Sequence, residues 1–275
     1  MPRFDNDSVP YRVDSEGDTR MTVTPTIDPI DVKVVWDMLI SAVNAASRAE
    51  QLSAFSTAVT EANDFGCTLL DSHGRLVATS DFGLPSFCLM TPVAVQHLLT
   101  QGAFSTAREG DVFICNDPWL AAAQISDLLV IRPLIADAKI VGFATSVAHN
   151  PDIGGVRGWF SAGDVFEEGL LIPPLKLLEE GRKNTTLWSI LAANSRIPEQ
   201  TLGDVEAQIV AVETIASRTE SILAEQEWRD LDIWSEEVVG RSERLMKEAV
   251  AAGTYAPLFA QLAAPARVTV LRRLP

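Results

Sequence analysis

The chain has 275 residues, enough for a sizeable core, and its 47% hydrophobic and 21% charged residues are typical of a globular protein. A formal net charge of −15 argues against nucleic acid or an anionic membrane as partner, since both would repel it. No apolar run approaches the length of a membrane span, and the polar N-terminus does not resemble a secretory signal. Cys67, Cys88 and Cys115 lack metal-finger spacing and are predicted to be buried reduced thiols, which favours the cytoplasm.

The N-terminal part of the chain is predicted to hold a tail, a helix and a β-hairpin. The helix has an acidic N-cap, proline at its first position and one apolar face. The hairpin combines two short apolar runs with a polar turn. In chain order these are a flexible acidic tail (1–26), a helix that starts after Asp28 at Pro29 and runs to about Glu50, and strands 65–70 and 76–78 joined by turn 71–74.

In the rest of the chain, the predicted strands come first and the predicted helices follow. A loop (82–87) and a short helix (92–100) precede residues 110–155, which hold three strand-like runs and a hairpin at 136–138. Helical periodicity then dominates, before a lone strand-like ending. These last segments are 187–193, 202–224, 231–252 and 267–275. The pattern predicts an α+β (or α/β) fold, with a mixed sheet of hairpins packed by helices and a helical C-terminal third.

Polar residues at predicted strand ends mark a candidate site. Asp127 opens one apolar run and His149 closes the next, and the hairpin between them brings both to the same end of neighbouring strands. Asp64 precedes another buried-looking strand. Two carboxylates and an imidazole could hold a divalent metal. The alternatives are a buried His–Asp hydrogen bond, with Asp64 as an internal acceptor. Gly154 and Gly155 predict a sharp turn whose backbone approaches another segment closely.

Five stretches resemble, in order, the hydantoinase B/oxoprolinase family, whose relatives include components of acetone and acetophenone carboxylases. They are EANDFGCTLLDSHGRLVA, GDVFICNDPWL, VGFATSVAHNPDIGG, DVFEEGLLIPPLKL and ANSRIPEQTLGDVEAQI. The resemblance assigns residues 27–255 to a hydantoinase B-like domain, corresponding to the N-terminal half of the family's fold. It leaves residues 256–275 as a divergent C-terminal tail.

The resemblance also implies a metal site and a division of labour. ATP binding and phosphorylation of an amide or enol oxygen belong to a hydantoinase A-like partner, and the hydantoinase B-like protein carries ring opening by water, or carboxylation. This chain has no Gly-rich phosphate loop, so ATP is assigned to the partner. The divalent ion (manganese, zinc or iron) is expected on Asp64, Asp127 and His149. Gln124 stands where the family has a histidine, and its neutral amide would weaken the site or abolish it.

Roles follow for the surrounding residues. His149 and Asp127 are expected to be catalytic, while Asn116, Asp117, Asp152 and Glu61 orient substrate or ligands. The substrate would be a small cyclic amide opened by hydrolysis, or a ketone that is carboxylated. A third hypothesis is a non-catalytic scaffold with a degenerate metal site, assembled with a full-length hydantoinase B-like protein.

Overall fold

The computed structural model describes residues 29–120, 124–156, 161–225 and 231–251. The predicted tail, its N-cap Asp28 and the C-terminal segment 256–275 lie outside these ranges. The described helices are α1 (Pro29–Ser53), α2 (Thr57–Thr60), α3 (Pro85–Thr100), α4 (Val165–Glu168), α5 (Thr185–Asn194), α6 (Pro198–Glu225) and α7 (Asp232–Ala251). The strands are β1 (Phe65–Asp71), β2 (Leu76–Thr79), β3 (Val112–Cys115), β4 (Asp127–Ala136), β5 (Lys139–His149), β6 (Leu175–Glu179) and β7 (Arg182–Lys183).

All seven strands form one sheet, in the order β2-β1-β5-β4-β3-β6-β7. The α+β class with hairpins and a helical C-terminal part is confirmed. The sheet differs from the mixed one expected, because every neighbouring pair is antiparallel. Three of the connections are tight turns, which only antiparallel strands accept.

The sheet is buried on both faces because side chains alternate along each strand. Ala144 and Ala148 of β5 join the core cluster that α1, α5, α6 and α7 share with one face. Phe143 and Val147 join the second cluster, against α3 on the other face. By this alternation Asp127 and His149, at strand ends, fall on the α3 face.

Both edges of the sheet are protected from pairing with another strand. On β2, the Val77 carbonyl accepts a hydrogen bond from Trp36 Nε1 of α1 at 3.0 Å. At the other edge β7 has only two residues, Arg182 and Lys183, both exposed and charged. Short, charged or covered edges prevent strand addition.

The start of α3 corrects the prediction, since the helix begins at Pro85 and not at Pro92. Proline has no N–H to give to the carbonyl four residues earlier, which for Pro92 belongs to Cys88. The Thr91 hydroxyl donates to that carbonyl at 3.1 Å, so the helix continues through the proline. Part of the predicted loop 82–87 is therefore helical, and Phe87 is buried in the core.

The other local predictions within the described ranges hold. The hairpins are confirmed, and Asp137 and Ala138 both have positive φ, as a type I′ turn requires. The three cysteines are buried and free. The short helices α2 and α4 and the β6–β7 hairpin were not predicted. Among these residues, no helix is long and apolar enough to cross a membrane.

Candidate functional site

Three predicted ligand residues lie at one end of the sheet, which we call the site end. Asp127 begins β4 and is directly paired with His149, the last residue of β5. The backbone N–H of His149 donates to the Asp64 carbonyl at 2.9 Å, just before β1. The three residues meet because β5 lies between β1 and β4 in the sheet.

Asp127 and His149 form a hydrogen-bonded pair. His149 Nδ1 lies 2.9 Å from Asp127 Oδ1, and the aspartate is fully buried while the histidine side chain is 23% exposed. This hydrogen bond raises the pKa of His149 above its ordinary value, against the opposing effect of burial, with help from the charges of Asp127 and Asp64. The pairing leaves Nε2 as the nitrogen for a ligand or a proton.

The charges of His149 and Asp127 both affect the pKa of Asp64. Burial raises its pKa, while the positive charge of His149 lowers it and the negative charge of Asp127 raises it. The three side chains do not converge within 4.8 Å of one another, as a ready-formed ion site in the described chain would. The structure therefore assembles the pair and leaves Asp64 adjacent to it.

The turn that leads into β4 carries buried oxygens without donors. It is closed by a bond from Asp127 N to the Gln124 carbonyl at 3.1 Å. Gln124 Oε1 and Asp127 Oδ2 are both buried and accept no hydrogen bond; in the described residues only Asp204 Oδ2 is a third such carbonyl or carboxylate oxygen. Each such group costs about 1–3 kcal/mol, and an ion or a water is the usual explanation. The run Ala121–Ala123 lies outside the described residues.

Asn116 connects loops at the site end. Its Nδ2 donates to the carbonyls of Ile125 and Leu170, at 2.6 and 2.9 Å, and its Oδ1 accepts from the Ile172 N–H at 2.6 Å. The side chain is fully buried and its hydrogen-bonding groups are used by backbone. In this structure Asn116 holds loops in place and does not face the cleft.

The other two residues expected around the metal lie nearer the surface. Asp117 Oδ1 accepts from the Trp119 N–H at 2.9 Å and so shapes the turn after β3. Glu61 is exposed at the end of α2. The structure brings neither of them into contact with the Asp127–His149 pair.

Asp152 is paired with Arg196, a residue that the sequence reasoning did not single out. Arg196 Nη1 donates to Asp152 Oδ1 at 2.7 Å, and its backbone N–H donates to Oδ2. Burial alone would raise the pKa of Asp152, but the bonds from Arg196 and Gly154 outweigh it and lower the value. The available signal was its place in ANSRIPEQ, part of one of the five resembling stretches.

Arg196 also fixes the glycine turn. It donates to the carbonyls of Gly154 and Gly155, whose φ angles are +89° and +66°. A Cβ on Gly155 would lie 2.3 Å from the backbone of Glu168, which confirms the close approach predicted for this turn.

A cleft of about 520 Å³ lies at the site end, and of the predicted ligand residues His149 lines it whereas Asp64 and Asp127 do not. His149, Asp152 and Arg196 lie on its wall, with the apolar Ile153, Val156 and Ile197 and the polar Ser126, Glu168 and Gln200 completing most of it. The cleft thus offers an imidazole that can exchange a proton and a guanidinium–carboxylate pair that can orient a polar ligand.

A buried polar network supports the two site strands from the opposite face. Gln208 of α6 donates to the Leu128 carbonyl at 2.8 Å and to the Ser146 carbonyl at 3.2 Å. Ser146 donates to the fully buried Glu50 at 2.9 Å, and Cys67 also donates to this carboxyl. Burial raises the pKa of Glu50 to about 7. The network fixes β4 and β5 one to three residues from Asp127 and His149.

A second group of metal-ligand side chains lies at the other end of the sheet, the turn end, which carries turns 72–75 and 137–138. Asp71, His73 and Asp232 lie within 4.8 Å of one another. Both oxygens of Asp71 already accept hydrogen bonds, from the Arg75 N–H and Nε at 2.7 and 2.5 Å, and also from Ser235. A guanidinium against this carboxylate disfavours a metal cation there.

Known proteins share this fold of an antiparallel sheet covered by helices. Residues 28–269 match the hydantoinase B/oxoprolinase family, and the chain belongs to that family. It is 32% identical over 231 residues to the putative D-/L-hydantoinase B component of Pseudomonas sp. strain NS671, covering 82% of this chain and 39% of the relative. It is 30% identical over 200 residues to 5-oxoprolinase of Dictyostelium discoideum, covering 71% and 16%.

Solved structures show the same fold. ATP-dependent caprolactamase from Pseudomonas jessenii matches with a TM-score of 0.69 at 24% identity, covering 82% of this chain and 39% of the other. The nucleotide-free structure of acetone carboxylase matches with a TM-score of 0.69 at 20% identity, covering 76% and 28%. The chain spans less than half the length of each of these proteins.

Proposed function

We propose that this chain is one component of a cytoplasmic, ATP-dependent complex that hydrolyses a cyclic amide. Asp64, Asp127 and His149 would hold a divalent metal at the site end. The observation that carries the proposal is the turn 124–127, where two buried acceptor oxygens have no donor beside the His–Asp pair. A cation bound beside either oxygen would supply the positive partner that it lacks.

The ligand atoms of His149, Asp127 and Asp64 are of types that bind a divalent metal, and the first two residues already lie together. Imidazole nitrogen and carboxylate oxygen suit manganese, zinc or iron, and Gln124 adds a neutral oxygen that shifts the preference towards a harder ion. Asp64 would have to approach the pair to share an ion with it. A bound ion would polarise the amide carbonyl and acidify a water.

The protein's own groups would perform the proton and positioning steps. Asp127 fixes the orientation of the His149 ring through Nδ1, so Nε2 faces its ligand in one tautomer. Arg196 and Asp152 would hold the polar part of the substrate on the cleft wall. In this proposal ATP is bound by a hydantoinase A-like partner, and a full-length hydantoinase B-like protein could complete the assembly.

We prefer amide hydrolysis over ketone carboxylation because this chain is more similar in sequence to relatives named for amide hydrolysis than to acetone carboxylase. The relatives at 30% identity or more include proteins named as a hydantoinase component and as 5-oxoprolinase. The likeness to acetone carboxylase is at 20% identity and shows the fold alone. The non-catalytic scaffold hypothesis predicts an intact complex with no metal at His149. One experiment therefore distinguishes it from the catalytic proposal.

That experiment compares His149→Ala with the matched variant His73→Ala in the purified complex. We expect about one divalent ion per wild-type copy by plasma mass spectrometry, and loss of both the ion and amide turnover in His149→Ala. His73→Ala, at the turn end, should keep both. Full turnover in His149→Ala would overturn the catalytic proposal, and a metal-free wild-type complex would favour the scaffold.

A gain-of-ligand variant tests Gln124 directly. Gln124→His should tighten zinc binding by about tenfold or more, because imidazole is the better ligand for a transition metal. Titration with a chromophoric chelator measures the affinity. Unchanged affinity would show that residue 124 does not face the ion.

A further inference from the structure

Among the described residues, the exposed phenylalanine and tryptophan side chains all lie at the site end. Trp119, in the turn after β3, is 92% exposed, and Phe166 of α4 is 81% exposed. Phe55 and Ile197, on loops at the same end, are also exposed. Exposed aromatic residues on this scale are typical of surfaces that become buried on association.

These side chains belong to one continuous set of loops around the cleft. The Trp119 loop and the loop after Phe166 are joined through the Asn116 side chain, which bonds the Leu170 carbonyl. The loop before α6 reaches the glycine turn through Arg196. Asp204 of α6 accepts from the Phe55 N–H at 2.7 Å.

The charge of the same loops is almost entirely negative. The described segments 49–64, 112–120, 124–126, 149–156, 161–172 and 194–204 contain one lysine or arginine, Arg196, which is paired with Asp152. Four of their acidic side chains are exposed (Glu61, Asp164, Glu167 and Glu199), and four are half-buried (Asp64, Asp117, Asp152 and Glu168). The turn end instead mixes both signs, for example Arg108 with Glu180.

We infer that the site end is the docking surface for a partner protein whose contact face has an apolar centre and lysine or arginine at its rim. Acidic loops around apolar side chains attract such a face and repel nucleic acid or anionic lipid. A second copy in a symmetric contact would place the same acidic loops against each other. Docking here would cover the mouth of the cleft that contains His149.

This inference rests on the proposed function only in taking the hydantoinase A-like protein to be the partner that is tested. A photo-crosslinking residue is placed at Trp119 or Phe166, and, as matched controls, at Lys139 of the turn end or Leu245 of α7. The full chain is then mixed with the purified hydantoinase A-like partner. We expect cross-links from the first two positions, to a peptide rich in lysine or arginine. Cross-links only from Lys139 or Leu245, only to a second copy, or from no position would overturn the inference.

Affinity variants test apolar contact and charge separately. Trp119→Ala and Glu167→Lys should each weaken binding of that partner about tenfold or more, and the second effect should shrink in high salt. Leu245→Ala and Glu109→Lys, the matched changes elsewhere on the surface, should stay within about twofold. Equal effects of both pairs would contradict the inference.

The metal content of the same variants distinguishes the two proposals. Trp119→Ala should lose partner affinity while keeping the ion, because Trp119 lies outside the Asp127–His149 pair. Partner docking at the site end by a metal-free chain would leave the docking surface standing and reject the metal site. Metal binding by a chain that does not dock its partner at the site end would support the metal site and reject the docking surface.

Discussion

The two ends of the sheet each carry a buried aspartate near a histidine, but the two aspartates differ in how many hydrogen bonds they accept. Asp71 ends β1 at the turn end and Asp127 begins β4 at the site end, and both are fully buried. Both have a histidine within reach. Asp71 has hydrogen-bond donors on both oxygens, whereas Asp127 Oδ2 has none. A buried carboxylate with a full set of donors is part of the architecture; one that lacks a donor leaves room for a ligand.

The turn end shows what a completed cluster does. Asp232 accepts from the Ser72 N–H at 3.0 Å and from its hydroxyl at 2.6 Å, and so ties the start of α7 to the β1–β2 turn. Ser235 of the same helix donates to Asp71. The cluster of Asp71, His73 and Asp232, whose possible ligand atoms lie closer together than those of the site end, therefore has a structural role. It connects helix α7 to the β1–β2 turn.

The largest expected effect is on stability at the turn end. Asp71→Ala should lower the free energy of unfolding by about 4 kcal/mol, because it leaves the donors of Arg75 and Ser235 without their acceptor. Asp127→Asn should change it by less than about 1 kcal/mol, since one oxygen can still accept from His149. Urea denaturation of the metal-free chain measures both. A larger loss in Asp127→Asn would break the comparison.

Glu50 adds a third buried carboxyl to the comparison, and its oxygens accept hydrogen bonds from Ser146 and Cys67. Its folded pKa of about 7 lies above the ordinary value of 4.5, so between these pH values the folded form holds a proton that the unfolded chain has released. Raising the pH through this window therefore removes on the order of 3 kcal/mol of stability. Glu50→Gln should lack this loss, as measured by denaturation at pH 5, 6, 7 and 8.

The matched control is Glu61→Gln, because Glu61 is exposed. It should retain the wild-type dependence on pH. Parallel curves for wild type and Glu50→Gln would mean that the Glu50 proton is not held in the folded state.

A small effect on stability is expected at the cleft wall. Arg196→Ala removes donors to Asp152, Gly154 and Gly155, and should cost about 1 kcal/mol because the pair is partly exposed. Hydrogen exchange of the 153–156 amides should accelerate. Arg108→Ala, which breaks an exposed pair with Glu180 at the turn end, should leave those amides unchanged. Equal exchange in both variants would show that Arg196 does not fix this turn.

Local signals in the sequence predicted much of the fold. The turn 71–74 and residues 136–138 each join two apolar runs, so both hairpins were predictable, and the second one places Asp127 beside His149. Residues that interact across a short hairpin are constrained by spacing alone.

Interactions between distant segments were not predictable in this way. Arg196 meets Asp152 across 44 positions, and Ser235 meets Asp71 across 164. Neither pair has a repeating pattern that one sequence would reveal. Helix α3 continues through Pro92, and the Thr91 hydroxyl takes the place of the missing N–H at the Cys88 carbonyl.

The protected sheet edges restrict how this chain can assemble. Trp36 occupies the Val77 carbonyl on one edge, and β7 ends the other after two charged residues. Among the described residues a partner therefore finds no open edge strand to extend, which favours recognition through side chains on loops and helices. Specificity of assembly then lies in surface chemistry, where one charge reversal can change the partner while the sheet stays intact.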